Sequence, residues 1–84
     1  MTPEQCRAAR GWLDWGQQEL ADAARVSLST VRDYEKGRRV PIANNLAAMR
    51  AALEARGIVL VDDGETYGIT SAKPDRLAPV SGAP

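Results

Sequence analysis

Eighty-four residues suffice for one small domain with a single modest core, so a second copy of the chain would be a useful source of further stability. Lysine plus arginine and aspartate plus glutamate both number 11, and this zero net charge gives no whole-chain signal for nucleic acid. The absence of histidine excludes histidine triads and imidazole metal ligands, and the single Cys6 excludes an internal disulfide or a thiolate metal site within one chain.

Thr2, Pro3 and Gln5 mark the start of a first helix as N-cap, N1 and N3 of a capping box. Cys6, Ala9 and Leu13 form its apolar line, with Cys6 expected to be a packed core thiol. Trp12 or Trp15 is expected to close one side of that line. Tryptophans also stack on single-stranded bases, but these positions fit core and corner packing better.

A second, short helix begins at Gly16 or Gln17 and places Leu20, Ala21 and Ala24 on one side. The break at Arg25-Val26 leads to Ser27, an N-cap whose hydroxyl can accept from the amide of Ser29 or Thr30. Val26 and Val31 have the spacing of a hydrophobic staple across that start. The third helix, over 27–36, turns Val31 and Tyr34 inward, and Gly37 follows as a residue free to take positive φ. Leu28, Ser29, Arg32, Asp33 and Lys36 remain outward. Between Arg25 and Arg39 five cations stand against two anions, a local charge of +3 in a neutral chain, while Asp62, Asp63 and Glu65 cluster elsewhere. Two short helices across a tight turn, the second with a polar outer face, have the geometry that lays a helix in a DNA major groove.

Residues 3–56 resemble the lambda-repressor-like, Cro-type (XRE-like) helix-turn-helix family. The resemblance rests on thirteen positions: Trp15, Gln17, Glu19, Leu20, Ala21, Ala24, Val26, Ser27, Thr30, Val31, Tyr34, Glu35 and Gly37. It implies that Leu28, Ser29, Arg32 and Asp33 face base edges. It also implies phosphate contacts from Gln17, Gln18, Arg25, Ser27, Lys36, Arg38 and Arg39, and a structural ion pair between Arg10 and Glu35. Two positions depart from the family pattern. Arg25 stands where the turn usually has glycine, at a cost of roughly 1 kcal/mol or a little more if left-handed. Leu28 offers no hydrogen bond, but its side chain suits a thymine methyl. Arg32 is left with three partners: guanine, a phosphate, or the neighbouring acids Asp33 and Glu35.

Pro41 disfavours helix at Val40, so Arg38–Pro41 is a loop beside the third helix. A fourth helix runs from Ala43 or Asn44 to Arg56, with Ile42, Leu46, Met49 and Leu53 as its apolar line, alanines at 47, 48, 51 and 52, and Gly57 as its stop. Ile58–Val61 and Thr66–Thr70 read as two strands joined through the turn residues Asp62, Asp63 and Gly64. A lone hairpin is marginal in water, so it should pack on the helices or pair with a second copy. Residues 71–84 hold three of the five prolines without apolar periodicity and are expected to form a disordered tail.

The expected fold is therefore a small, all-α helix-turn-helix bundle of about four helices, over 1–57, followed by a hairpin extension over 58–70 and the tail. The expected function is a sequence-specific DNA-binding transcriptional regulator, a dimeric Cro-like repressor occupying a palindromic operator through the helix at 27–36. The alternative is a protein-binding module, antiactivator-like or antitoxin-like, that uses the same face or the hairpin edge. Neither reading calls for catalysis, a cofactor, a metal or a small-molecule ligand. With no membrane-spanning stretch and no signal-peptide pattern, the expected location is the cytoplasm.

Overall fold

A computed structural model of the chain describes residues 1–71, and most of the expected tail lies outside them. Helix α1 spans Pro3–Leu13, α2 Gln17–Ala24, α3 Leu28–Glu35 and α4 Ala43–Glu54; strands β1 (Ile58–Asp62) and β2 (Tyr67–Ser71) form an antiparallel hairpin.

Each boundary has a local cause. At the start of α1, Thr2 Oγ1 accepts from the Gln5 amide at 3.0 Å and Gln5 Oε1 accepts from the Thr2 amide at 2.9 Å, which closes the capping box. Asp14 ends the helix in the left-handed region, a place short polar residues tolerate. Glu19 accepts from the Gly16 amide at 2.7 Å to open α2. Ser27 Oγ accepts from the Thr30 amide at 3.1 Å to open α3, and Gly37 follows that helix at φ 74°. In the hairpin turn, Asp63 accepts from the amides of Thr66 and Glu65 and from the Thr66 hydroxyl, and these bonds hold its carboxyl below the usual range.

The core takes Cys6 and Ala9 from α1, Leu20, Ala21 and Ala24 from α2, Val31 and Tyr34 from α3, Met49 and Leu53 from α4, and Ile58 from β1. Tyr34 also donates to the Met1 carbonyl at 2.6 Å, which fixes the N-terminal residue over α3. One sequence expectation needs correction, and another is narrowed. Ile42 is not on the buried line of α4: it is the exposed N-cap residue, and only Met49 and Leu53 of the expected four are fully buried. Trp12 points to solvent, whereas Trp15 packs partly against the core with the Arg56 guanidinium 5.6 Å from its ring.

The hairpin rests on the helices. Ile58 joins the core, Leu60 and Ile69 pack against it, and the buried Gln5 amide donates to the carbonyls of Val61 (2.9 Å) and Gly68 (2.8 Å), which are paired across the strands. One side chain thus serves the α1 cap and both strands.

Candidate nucleic-acid interface

The pair α2–α3 is joined by the turn at Arg25, which adopts φ 57° and ψ 44° in the left-handed region and donates its amide to Asp22 O. Val26 then returns its amide to Ala21 O at 3.0 Å, so the chain leaves α2 at a fixed angle and reaches the Ser27 cap at once. Ser27 Oγ also meets the hydroxyls of Ser29 (3.0 Å) and Thr30 (2.7 Å). The first turn of α3 is therefore locally self-contained.

The other end of α3 is tied down by a buried carboxylate. Glu35 Oε1 accepts from Arg10 Nη2 (2.7 Å) and Gln17 Nε2 (3.0 Å), while Oε2 accepts from Arg10 Nε (2.6 Å) and the Cys6 thiol (3.2 Å). Arg10 also donates to the Trp15 carbonyl at 2.8 Å, and Arg7 donates to the Glu35 carbonyl at the end of the helix. Burial alone would raise the Glu35 pKa, but the hydrogen bonds from Arg10, Gln17 and Cys6 prevail and hold it below its ordinary value. The same bond to Glu35 raises the Arg10 pKa against its own desolvation, and burial, together with the Glu35 contact, pushes the Cys6 thiol far up. Cys6 is thus an inert core thiol that donates a hydrogen bond. No buried side-chain polar atom among the described residues lacks a partner.

Because Glu35 is sequestered and paired with Arg10, it no longer offsets the cations around it. Arg25, Arg32, Lys36, Arg38 and Arg39 are all exposed, against one half-buried carboxylate, Asp33. Arg32 makes no ion pair among the described residues, so of its three expected partners neither neighbouring acid holds it. Ser29 is exposed and Leu28 half-buried, both at the N-terminal end of α3. Of the other residues expected at phosphates, Gln18 is exposed and donates to Asp22 at 2.8 Å, and Gln17 is half-buried with its amide on Glu35.

Several contributors escape sequence reasoning. Gln5 has an obvious capping role, and nothing in its spacing announces a bond 63 residues away. Arg7 and Cys6 reach Glu35 only because α1 crosses beneath α3. The exposed Val40 and Ile42 share a cavity with Ser29, Thr30, Asp33 and Arg39, an association that depends on the path of the 38–42 loop. The strongest signal for it in the sequence is Pro41, which fixes that path.

Among the described residues no helix is long and apolar enough to cross a membrane. The pattern that defines the helix-turn-helix domain matches residues 4–62. The chain is similar to the transcriptional regulator ClgR of Mycobacterium tuberculosis, in strains CDC 1551 and H37Rv, at 39% identity over 62 residues in each case. That alignment covers 73% of this chain and 52% of each ClgR sequence, so the chain spans about half the length of the curated relatives it matches. The two helices set by Arg25, the capped and exposed α3, and a match over most of the chain agree: this protein belongs to the XRE-like helix-turn-helix family of DNA-binding domains.

Proposed function

We propose that the chain is a sequence-specific transcriptional regulator that binds double-stranded DNA in the cytoplasm as a homodimer, with α3 in the major groove, and represses by occupying a palindromic operator. The observation that carries this reading is the outward face of α3: Ser29 and Arg32 are exposed and Asp33 is half-buried beside them, while Glu35, on the same helix, is locked inside. Ser29, Arg32, Asp33 and Leu28 read base edges; Lys36, Arg38 and Arg39 past the helix, with Arg25, Ser27, Gln17 and Gln18 at the turn and α2, meet phosphates. Base contacts specify and phosphate contacts position. The similarity to a transcriptional regulator supports the same conclusion.

Two α3 helices reach successive major grooves when they lie ~34 Å apart on one side of the duplex. The hairpin is the proposed dimer surface, because Val59 and Tyr67 are exposed on it and its edges are those of a two-stranded sheet. Since Ile58 is a core residue and Gln5 holds both strands, deleting the hairpin would unfold the domain as well as break a dimer. Val59→Lys is the cleaner probe: sedimentation should show a monomer with native helicity, and an unchanged dimer would place the interface elsewhere.

The function is tested by binding to the DNA upstream of the chain's own gene across a range of salt. Lys36→Ala, Arg38→Ala and Arg39→Ala should each weaken all sequences about equally and lower the salt slope by roughly one for each phosphate no longer neutralised. Asp33→Ala should instead relax discrimination at one symmetric operator position by about 1–3 kcal/mol. Binding without sequence preference, unaffected by any of these changes, would move the reading to a protein-binding module.

A further inference from the structure

Five large apolar side chains stand exposed among the described residues, and the two most exposed, Val40 at 73% and Ile42 at 69%, flank Pro41 in the loop between α3 and α4. Neither side chain belongs to the core. Ile42 is the N-cap of α4 and makes no side-chain hydrogen bond to that helix. A short polar residue there would satisfy an amide that isoleucine leaves to solvent, so the sequence forgoes a stabilising cap in order to keep an apolar side chain in water. Pro41 restricts the backbone between the two, and so presents them with little conformational freedom left to lose.

Their position explains what that arrangement is for. Val40 and Ile42 line one cavity together with Ser29, Thr30 and Asp33 of α3, and Arg39 lines it too. A duplex whose base edges meet Ser29 and Asp33 continues over this apolar pair, and Arg39 offers a cation for the adjoining phosphate. The one apolar group that distinguishes bases in the major groove is the thymine C5-methyl.

We propose that Ile42, supported by Val40, is a specificity-determining residue that recognises a thymine methyl beside the bases read by Ser29 and Asp33. The inference rests on the DNA-binding reading above and adds residues outside α3 to its base-reading set. The occupant of the cavity is thus the DNA duplex, on the ground that Val40 and Ile42 line the same cavity as Ser29 and Asp33, which are proposed to read bases. Removing a single buried methyl should weaken binding about fourfold per half-site.

The full chain is used to enrich a binding site from a random duplex library, and each thymine of that site is then replaced singly by deoxyuridine, which removes only the methyl. The expected result is one symmetric pair of thymines at which deoxyuridine weakens the wild type about fourfold, outside the positions governed by Asp33→Ala and Leu28→Ala. Ile42→Ala should bind the thymine and deoxyuridine duplexes equally at that pair and respond normally elsewhere; Ile42→Val should retain part of the preference. Because Ile42 is exposed, both variants should keep native helicity. The inference is overturned if Ile42→Ala weakens every duplex equally, which would indicate a sugar or backbone contact. It is also overturned if no deoxyuridine position responds to Ile42→Ala, or if that variant changes only the sedimenting mass, which would assign the surface to a second copy. Failure to enrich any site would overturn the DNA-binding reading itself, and this inference with it.

Discussion

The two ends of α3 are built on opposite principles. At its C-terminal end Glu35 is 3% exposed and each carboxylate oxygen accepts two hydrogen bonds from donors on α1 and α2. At its N-terminal end Ser29 faces solvent, and the hydrogen bonds among the hydroxyls of Ser27, Ser29 and Thr30 stay within that first turn. Only eight residues make up α3, too few to be stable alone. A short helix can offer polar side chains to a ligand at fixed positions only if something else holds it, and here Val31 and Tyr34 in the core and the charge pair buried at its C-terminal end hold it. The placement of the exposed end therefore depends on rigidity at the buried end, and the two can be separated by experiment.

The largest effect should come from breaking the buried end. Arg10→Met leaves the Glu35 carboxylate in the interior without its cation, which should cost about 3–5 kcal/mol in urea unfolding. Arg10→Met with Glu35→Leu should recover much of this, because an apolar pair leaves no charge uncompensated. The pH dependence should differ between the wild type and Arg10→Met. In the wild type, the folded pKa of Glu35 is lowered, so its stabilisation is fully present above the ordinary value of 4.5 and is lost as the pH falls through that value and then the lower folded one. In Arg10→Met the lowering by Arg10 is gone while burial still raises the Glu35 pKa, so the variant should lose less stability than the wild type as the pH falls. Parallel stability curves for the two proteins would mean that Arg10 does not govern the Glu35 charge.

A smaller effect should follow from releasing the hairpin. Gln5→Leu removes the donors to Val61 O and Gly68 O and the acceptor for the Thr2 amide, while preserving an apolar stem, at a cost of about 1–3 kcal/mol. Hydrogen exchange should locate the loss: amides of β1 and β2 should exchange faster, with those of α2 and α3 slowed or unchanged relative to them. Uniformly faster exchange would mean that the hairpin and the helices open as a single unit.

The division between what the sequence discloses and what it conceals follows the range of the interactions. Helix starts are legible because Thr2, Gln5 and Ser27 act within three residues of themselves, and the core line Cys6, Ala9, Val31, Tyr34 follows from helical spacing. Family membership is legible because the thirteen matched positions mix caps, core and surface. The Ile42 expectation fails because its spacing before Leu46 fits the line of α4, but it precedes the helix, where Pro41 sets the backbone and helical periodicity no longer applies. Of Trp12 and Trp15 it is Trp15 that closes the line, and a periodic pattern cannot tell which of two nearby aromatics the neighbouring helices will cover. Gln5 and Arg7 show the same limit from the other side, since bonds to Gly68 and Glu35 exist only once distant elements have met.

The smallest expected effect lies in the turn that joins the two regions, and it should move two measurements in opposite directions. Arg25 holds φ 57°, a conformation that costs a residue with a Cβ roughly 1–2 kcal/mol and glycine much less. Glycine also returns freedom to the unfolded chain, so Arg25→Gly should stabilise the domain by less than about 1 kcal/mol. The side chain itself is exposed and makes no ion pair among the described residues, so its removal takes nothing from the fold. If its guanidinium meets a phosphate, the same substitution should lower the slope of log affinity against log salt by about one. A variant that melts higher and binds DNA with an undiminished salt slope would show that Arg25 bears its strain for no DNA contact. A variant that melts higher and gives up one phosphate's worth of salt dependence would show that strain in the backbone is accepted here to place a cation at the turn.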